Sequence, residues 1–305
     1  MSSLELRPRL PPELERRIFE TSALLDRSSI PRLLLVASRV LIWIEPLLYR
    51  SLEIGLSGVD GLNVVRAVLA KPTEFISRSL RSLVFGHNFF QYWASLSEDD
   101  KLKLSSLIKG RITHVGVAGA VHCMSILEEF SASPLQLSCY LDDLFGYTVF
   151  EAVSTTSGLR AVVQHPIFRQ LTHFRIFNAN PSRTEPILTI ARQLPALTHL
   201  AMPSYHFGRS ININPREQRV KQYLTECRML QVLVSIEESV SDERPQQVAE
   251  TVVHDAPEEV VPDIRFVECN VVHWLEDARP GYNFWDKAEA LIALRRERVA
   301  KNASR

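Results

Sequence analysis

One short pattern of apolar and variable positions recurs along this chain: apolar, two variable residues, apolar, variable, apolar. It reads Leu80-Arg81-Ser82-Leu83-Val84-Phe85, Ile112-Thr113-His114-Val115-Gly116-Val117, Leu171-Thr172-His173-Phe174-Arg175-Ile176 and Leu197-Thr198-His199-Leu200-Ala201-Met202. Ile264-Arg265-Phe266-Val267-Glu268-Cys269 fits with a cysteine in the last apolar place, and imperfect copies lie around Leu135-Gln136-Leu137 and from Leu230 to Ser235. Such alternation predicts strands, with the fourth and sixth places on one face and the third and fifth on the other. Copies beginning at positions 80, 112, 171, 197, 230 and 264 are 32, 59, 26, 33 and 34 residues apart, and the gap of 59 has room for the copy near Leu135.

Helix signals fill the intervals. Ser97 with Asp100 makes a capping-box-like start, and Gly110 closes that helix just before Ile112. Thr184-Glu185-Pro186 opens another that ends near Leu194-Pro195, and Asn214-Pro215 with Glu217 opens a third that carries Val220, Leu224 and Cys227 on one side. Strands and helices alternating every 26 to 34 residues predict right-handed α/β units. A fixed phrase at that spacing favours a solenoid over a closed sheet. The expected fold class is therefore α/β: a curved open sheet of parallel strands in chain order, with helices outside and the third and fifth places facing solvent on the concave side. A compact doubly wound α/β domain is the runner-up. The phrase resembles a leucine-rich repeat, in long and irregular copies.

The first 55 residues follow another pattern. Pro11 and Pro12 suit a helix start, and Leu14, Ile18 and Leu25 then share one helix face. Ser28 and Ser29 are placed to cap a second helix beginning near Pro31. Its Leu33, Leu34, Val36, Ala37, Val40 and Leu41 are too many apolar residues for one stripe, which predicts a mostly buried helix; Pro46 bends or restarts the chain. The expectation is a small helical bundle with a leading Leu-Pro edge, too small to be stable unless the next domain or a partner covers it.

Leu10-Pro11-Pro12-Glu13-Leu14, followed by Ile18-Phe19, Pro31 and Trp43-Ile44-Glu45-Pro46-Leu47-Leu48-Tyr49, resembles an F-box-like segment. The form is the one common in the F-box and leucine-rich-repeat-like families of mushroom-forming fungi. Their commoner pattern places a tryptophan four residues after a central valine; here Val40 holds that place after Val36, and Trp43 follows three later. The resemblance implies a substrate-recognition subunit of a cullin-type ubiquitin ligase. Leu10, Pro11, Leu14, Ile18 and Phe19 would dock a Skp-type adaptor, and the solenoid would hold an unknown protein target without catalysis. The implied division is an F-box-like segment (1–55), a leucine-rich-repeat-like α/β solenoid (56–280), and a C-terminal capping helix with a basic tail (281–305). Two alternatives are a self-contained scaffold whose bundle packs on its own solenoid, and an unrecognised α/β enzyme.

Composition narrows the classes. The chain's 46 % hydrophobic and 23 % charged residues are ordinary for a folded protein. Lys+Arg and Asp+Glu stand at 35 each, which gives no bias toward nucleic acid or an anionic membrane. The distribution is uneven: residues 237–263 hold nine acids against one base, and 287–305 hold six bases against two acids. The first is expected to be a solvated excursion between strands, in which Val248, Val252 and Val253 allow one short helix, and the second a solvated tail. Met1–Glu5 carry no apolar signal core, Arg39, Glu45 and Pro46 interrupt the run from Leu33 to Tyr49, and four scattered cysteines form no paired motif. These features suit an intracellular protein, cytoplasmic or nuclear.

Candidate chemistry is sparse. His114, His173 and His199 all occupy the third place of the phrase, and the last two come from consecutive strands, where they would stack about 4.8 Å apart on the exposed face. No carboxylate or cysteine stands beside them in sequence at a ligand spacing, so a polar Thr-His ladder is expected rather than a metal site. Asp142-Asp143 read as a loop or helix start, and Gly55, Gly58 and Gly61 as a hinge rather than a phosphate cradle. No nucleophile elbow, zincin, Walker or paired-cysteine motif occurs, so no catalytic, cofactor or metal residue is assigned. Phe284-Trp285 with Ala288, Leu291 and Ile292 reads as an amphipathic last helix, capped at Asn283, that closes the open end of the solenoid. Arg295, Arg296 and Arg298 suit the negative end of its dipole.

Overall fold

A computed structural model describes residues 10–56, 60–119, 124–130, 133–141, 163–177, 184–207, 213–238, 252–254, 263–271 and 284–303. The chain opens with helices α1 (Pro12–Leu25), α2 (Ile30–Leu33) and α3 (Ser38–Leu48). Strand β1 (Ser51–Ile54) follows, then α4 (Gly61–Leu69), α5 (Thr73–Ser79), β2 (Ser82–Phe85), α6 (Phe89–Ser95), α7 (Glu98–Ile108) and β3 (His114–Val117). Next come α8 (Met124–Glu129), β4 (Gln136–Cys139), β5 (His173–Ile176), α9 (Thr184–Ala191), β6 (His199–Pro203) and α10 (Ile213–Glu226). The last elements are β7 (Val232–Glu238), β8 (Val252–His254), β9 (Phe266–Val271) and α11 (Phe284–Ala303).

Among the described residues nine strands lie in one open sheet in the order β1-β2-β3-β4-β5-β6-β7-β9-β8. Eight run parallel in chain order, and only β8 is antiparallel, on β9. Every copy of the phrase, including the imperfect ones near Leu135 and Leu230, supplies one strand. Among the eight parallel strands chain order contains no reversal, unlike a doubly wound sheet, whose strand order turns back at its centre. On one face Leu83, Val115, Leu137, Phe174, Leu200 and Leu233 fill the main core against Val65, Ile76, Leu104, Ile126, Ile187 and Val220 of six helices. The start and end of α7 are as the sequence implies: the Ser97 hydroxyl accepts from the amide of Asp100, and Gly110 takes a left-handed turn (φ +68°) just past α7.

The other face departs from expectation. Most third and fifth places are covered: Ser82, Ser138, Arg175, His199 and Ala201 are buried, and His114 and His173 are half-buried. The last helix does not cap an open end but lies across the sheet. Phe284, Trp285, Ala288 and Ile292 of α11 form a second core with Ala201, Val232, Val234, Ile236, Val267 and Cys269. The reason lies in β6, β7 and β9, whose apolar residues on this face need a cover, and α11 carries a matching stripe. Asn283, the expected cap, lies outside the described residues.

Two further expectations change. Within 237–263, Glu237 and Glu238 belong to β7, and Val252 and Val253 form edge strand β8 rather than a helix, because β9 offers them a free edge. Residues 239–251 and 255–262, which hold most of the acids, lie outside the described residues, as do Val248, Asp142 and Asp143. In the N-terminal bundle the single buried helix after Pro31 is two helices, broken at Ala37, whose backbone is extended (φ −164°, ψ 156°). No serine side chain caps α2; Asp26 instead accepts from Ser28 in the preceding turn. Pro46 lies inside α3, and Val36 and Leu41 are exposed rather than buried. The bundle has its own small core of Ala23, Ile30, Val40 and Ile44, with Phe19, Leu33, Trp43 and Leu47 packed on it. Its last helix ends at Leu48, and Ser51–Ile54 already belong to the sheet.

Candidate functional site

Two places stand out, and the first is the outer surface of the bundle. Pro12 at the first position of α1 fixes the entry of the chain, and Leu14 and Ile18 fall one turn apart on that helix. Leu10, Leu14 and Ile18 are 45 %, 50 % and 55 % exposed, and Pro11 is exposed beside them. Leu25, Leu35, Val36, Leu41 and Ile42 are also exposed apolar residues of this bundle. Of the five residues that the F-box-like pattern singles out, four are therefore on the surface. Phe19 is half-buried and packs against the bundle core.

Arg39 grips Glu15 through two hydrogen bonds of 2.7 and 3.0 Å, tying α1 to α3, and this holds the Glu15 carboxyl below its ordinary pKa. Ion pairs of Arg27 with Glu53 on β1, and of Lys71 with Glu45, join the bundle to the rest. Lys71 also lies over the rings of Tyr49 and Phe75. Close packing accounts for Gly55 and Gly61 of the glycine cluster: a Cβ on Gly61 would touch the Tyr92 ring, and Gly55 packs against the loop that carries Gly86. Gly55 has φ +80°, and a side chain on Gly55 or Gly86 would press into backbone of the neighbouring loop. Gly58 lies outside the described residues.

The second place lies between the sheet and α11. His173 and His199 are register partners, with ring centroids 4.0 Å apart and planes 13° from parallel. Trp285 meets both edge-on, at 5.4 and 5.5 Å. Each histidine leans on the threonine before it: Nδ1 of His114, His173 and His199 is 2.8, 2.8 and 2.7 Å from the hydroxyl of Thr113, Thr172 and Thr198. The Thr-His ladder is real, but at its far end Nε2 of His199 meets Oε1 of Glu289 at 2.8 Å. Burial pushes the pKa of both His173 and His199 down to about 4, with the neighbouring His199 charge adding to the effect on His173. Both rings are thus neutral at pH 7. Glu289, on α11, is the carboxylate that local spacing did not supply.

A solvent-open cavity of about 520 Å³ lies beside α10, lined by Val220, Lys221, Leu224, Asp263, Arg265 and Arg296 among others. Burial would raise the Asp263 carboxyl, but hydrogen bonds from Arg265 outweigh it and keep the group below its ordinary pKa. That pair is satisfied internally and poises no group for proton transfer. Cys139, Cys227 and Cys269 are buried cysteines, and Cys123 lies outside the described residues. Among the described residues no helix is long and apolar enough to cross a membrane. Neither a protein-family model, nor a curated protein, nor a solved structure matches this chain.

Proposed function

We propose that this protein is a non-catalytic interaction module, the substrate-recognition subunit of a cullin-type ubiquitin ligase, which docks a Skp-type adaptor through Leu10, Pro11, Leu14 and Ile18. One observation carries the reading: these residues form an exposed apolar row on a bundle whose core is already filled by other side chains. Scattered exposed apolar residues are ordinary, but a cluster of this kind on a separate small bundle needs a cover. The proline-fixed start lowers the ordering cost of binding. The scaffold alternative asks the same edge to be internal packing, and its exposure favours the docking reading. In this reading the open repeat sheet and its helices hold a protein target, as the leucine-rich-repeat resemblance implies.

The test is co-purification from cells with the adaptor. Deleting residues 1–55 is unsuitable, because it removes β1 from the edge of the sheet. The combined Leu10→Ala, Pro11→Ala and Ile18→Asp variant is expected to lose the adaptor and keep its fold. Retained adaptor, or a globally unfolded variant, contradicts the reading.

A further inference from the structure

The contact between His199 and Glu289 raises a question of protons. A threonine hydroxyl has one proton to give. Thr172 Oγ1 donates to the carbonyl of Leu135 at 3.0 Å, and Thr198 Oγ1 to the carbonyl of Thr172 at 3.2 Å, each on the preceding strand. With that proton committed, each hydroxyl oxygen accepts from the Nδ1–H of the following histidine. Each ring is then left with a bare Nε2. At His199 the bare nitrogen stands 2.8 Å from a carboxylate oxygen. That contact needs a positive charge between the two acceptors, either a proton or, once the pair opens, a metal ion.

We propose that His173, His199 and Glu289 form a binding site for a divalent transition-metal cation of the zinc class. One ligand atom from each residue lies within 4.8 Å of the others. Since Nδ1 of both histidines faces its threonine, Nε2 is the free ligand atom on each. Two neutral imidazoles and one carboxylate are a zinc-type set, whereas magnesium and calcium prefer oxygen alone. The hydroxyls that hold Nδ1 are the outer partners that metal-bound histidines usually have, and here both lean on sheet backbone. Bonds of about 2.1 Å to a tetrahedral ion place ligand atoms about 3.4 Å apart. The set reaches that spacing by a swing of Glu289, whose side chain is 53 % exposed, which widens its 2.8 Å contact with His199, and by a tilt of one imidazole out of its stack. Water completes the coordination. The ion would pin α11 to β5 and β6, joining residues 90 positions apart in the chain.

The test uses the full chain, stripped with a chelator and titrated with Zn2+ alone. The expected result is one Zn2+ per chain, a rise in Tm on addition, and with Co2+ the visible bands of a tetrahedral site. Glu289→Gln removes an exposed carboxylate and leaves the fold intact. It should weaken Zn2+ binding about tenfold or more and abolish both the Tm rise and the Co2+ bands. His173→Gln should do the same, with circular dichroism as the check on folding. The proposal is overturned if the parent binds no stoichiometric Zn2+, if Glu289→Gln binds as tightly as the parent, or if binding survives both variants and disappears only when the thiols are blocked.

Discussion

Trp285→Ala is the sharpest probe of how the two sheet faces are covered. Trp285 is 1 % exposed, meets both imidazoles edge-on and lies with its ring 4.2 Å from that of Phe284. A buried aromatic of this size hides about 150–250 Å². At about 25 cal/mol per Å² that contributes roughly 4–6 kcal/mol, and measured Trp→Ala losses in cores run about 3–5 kcal/mol. We therefore expect a loss of about 4 kcal/mol. With a urea slope of about 3 kcal/mol/M, the unfolding midpoint falls by more than about 1 M. Leu294→Ala on the same helix is the control. Leu294 is 52 % exposed, so its loss should stay within about 0.5 kcal/mol. Both are read by urea unfolding followed by far-UV circular dichroism. A Trp285→Ala loss below about 1 kcal/mol, or equal losses in both variants, would show that α11 is not the cover of this face.

Three further outcomes follow. Gly55→Ala should cost about 2 kcal/mol or more by thermal unfolding, because Gly55 has φ +80° and a Cβ there would meet the Phe89 amide nitrogen; an unchanged Tm would refute the close approach of the two loops. Burial pushes the Cys227 thiol up to about 11 and raises the neighbouring Tyr223 phenol as well, from ordinary values of 9.0 and 10.0. The unfolded chain releases these protons first, so their contribution to stability is complete below about pH 9 and fades as pH rises through the folded values. The urea midpoint should therefore fall between pH 8.5 and 10.5, and fall less steeply in Tyr223→Phe; parallel slopes would count against it. Ile18→Asp alone should shift stability by no more than about 0.5 kcal/mol, whereas Ile44→Ala, in the filled core of the bundle, should cost about 2–5 kcal/mol.

The strands were legible because each repeats one apolar spacing and pairs with its neighbour in chain order. Even the degraded copy at Leu135 became β4. Helix starts at Pro12 and Ser97 were legible because capping depends on residues a few positions apart. What local spacing does not carry is which surface an amphipathic helix covers. The stripe Phe284, Trp285, Ala288 and Ile292 fits an open end or a sheet face equally, and only the apolar residues of β6, β7 and β9 decide it. The same gap hid Glu289, which reaches His199 across 90 positions. In the bundle, apolar density from Leu33 to Leu41 suggested burial. Apolar density alone does not say which residues the fold covers, and Leu35 and Val36 are exposed.

The central claim is that the Leu10–Ile18 edge is a docking surface, and a direct binding titration tests it. Purified Skp-type adaptor is titrated against the immobilised full chain and against the Leu10→Ala, Pro11→Ala, Ile18→Asp variant, with urea midpoints confirming that both are folded. The account predicts saturable binding to the parent and a loss of about a hundredfold or more in the variant, since removing two apolar anchors and placing a charge in a desolvated contact costs about 3 kcal/mol or more. No binding to the folded parent, or equal affinity in the two proteins, would contradict it.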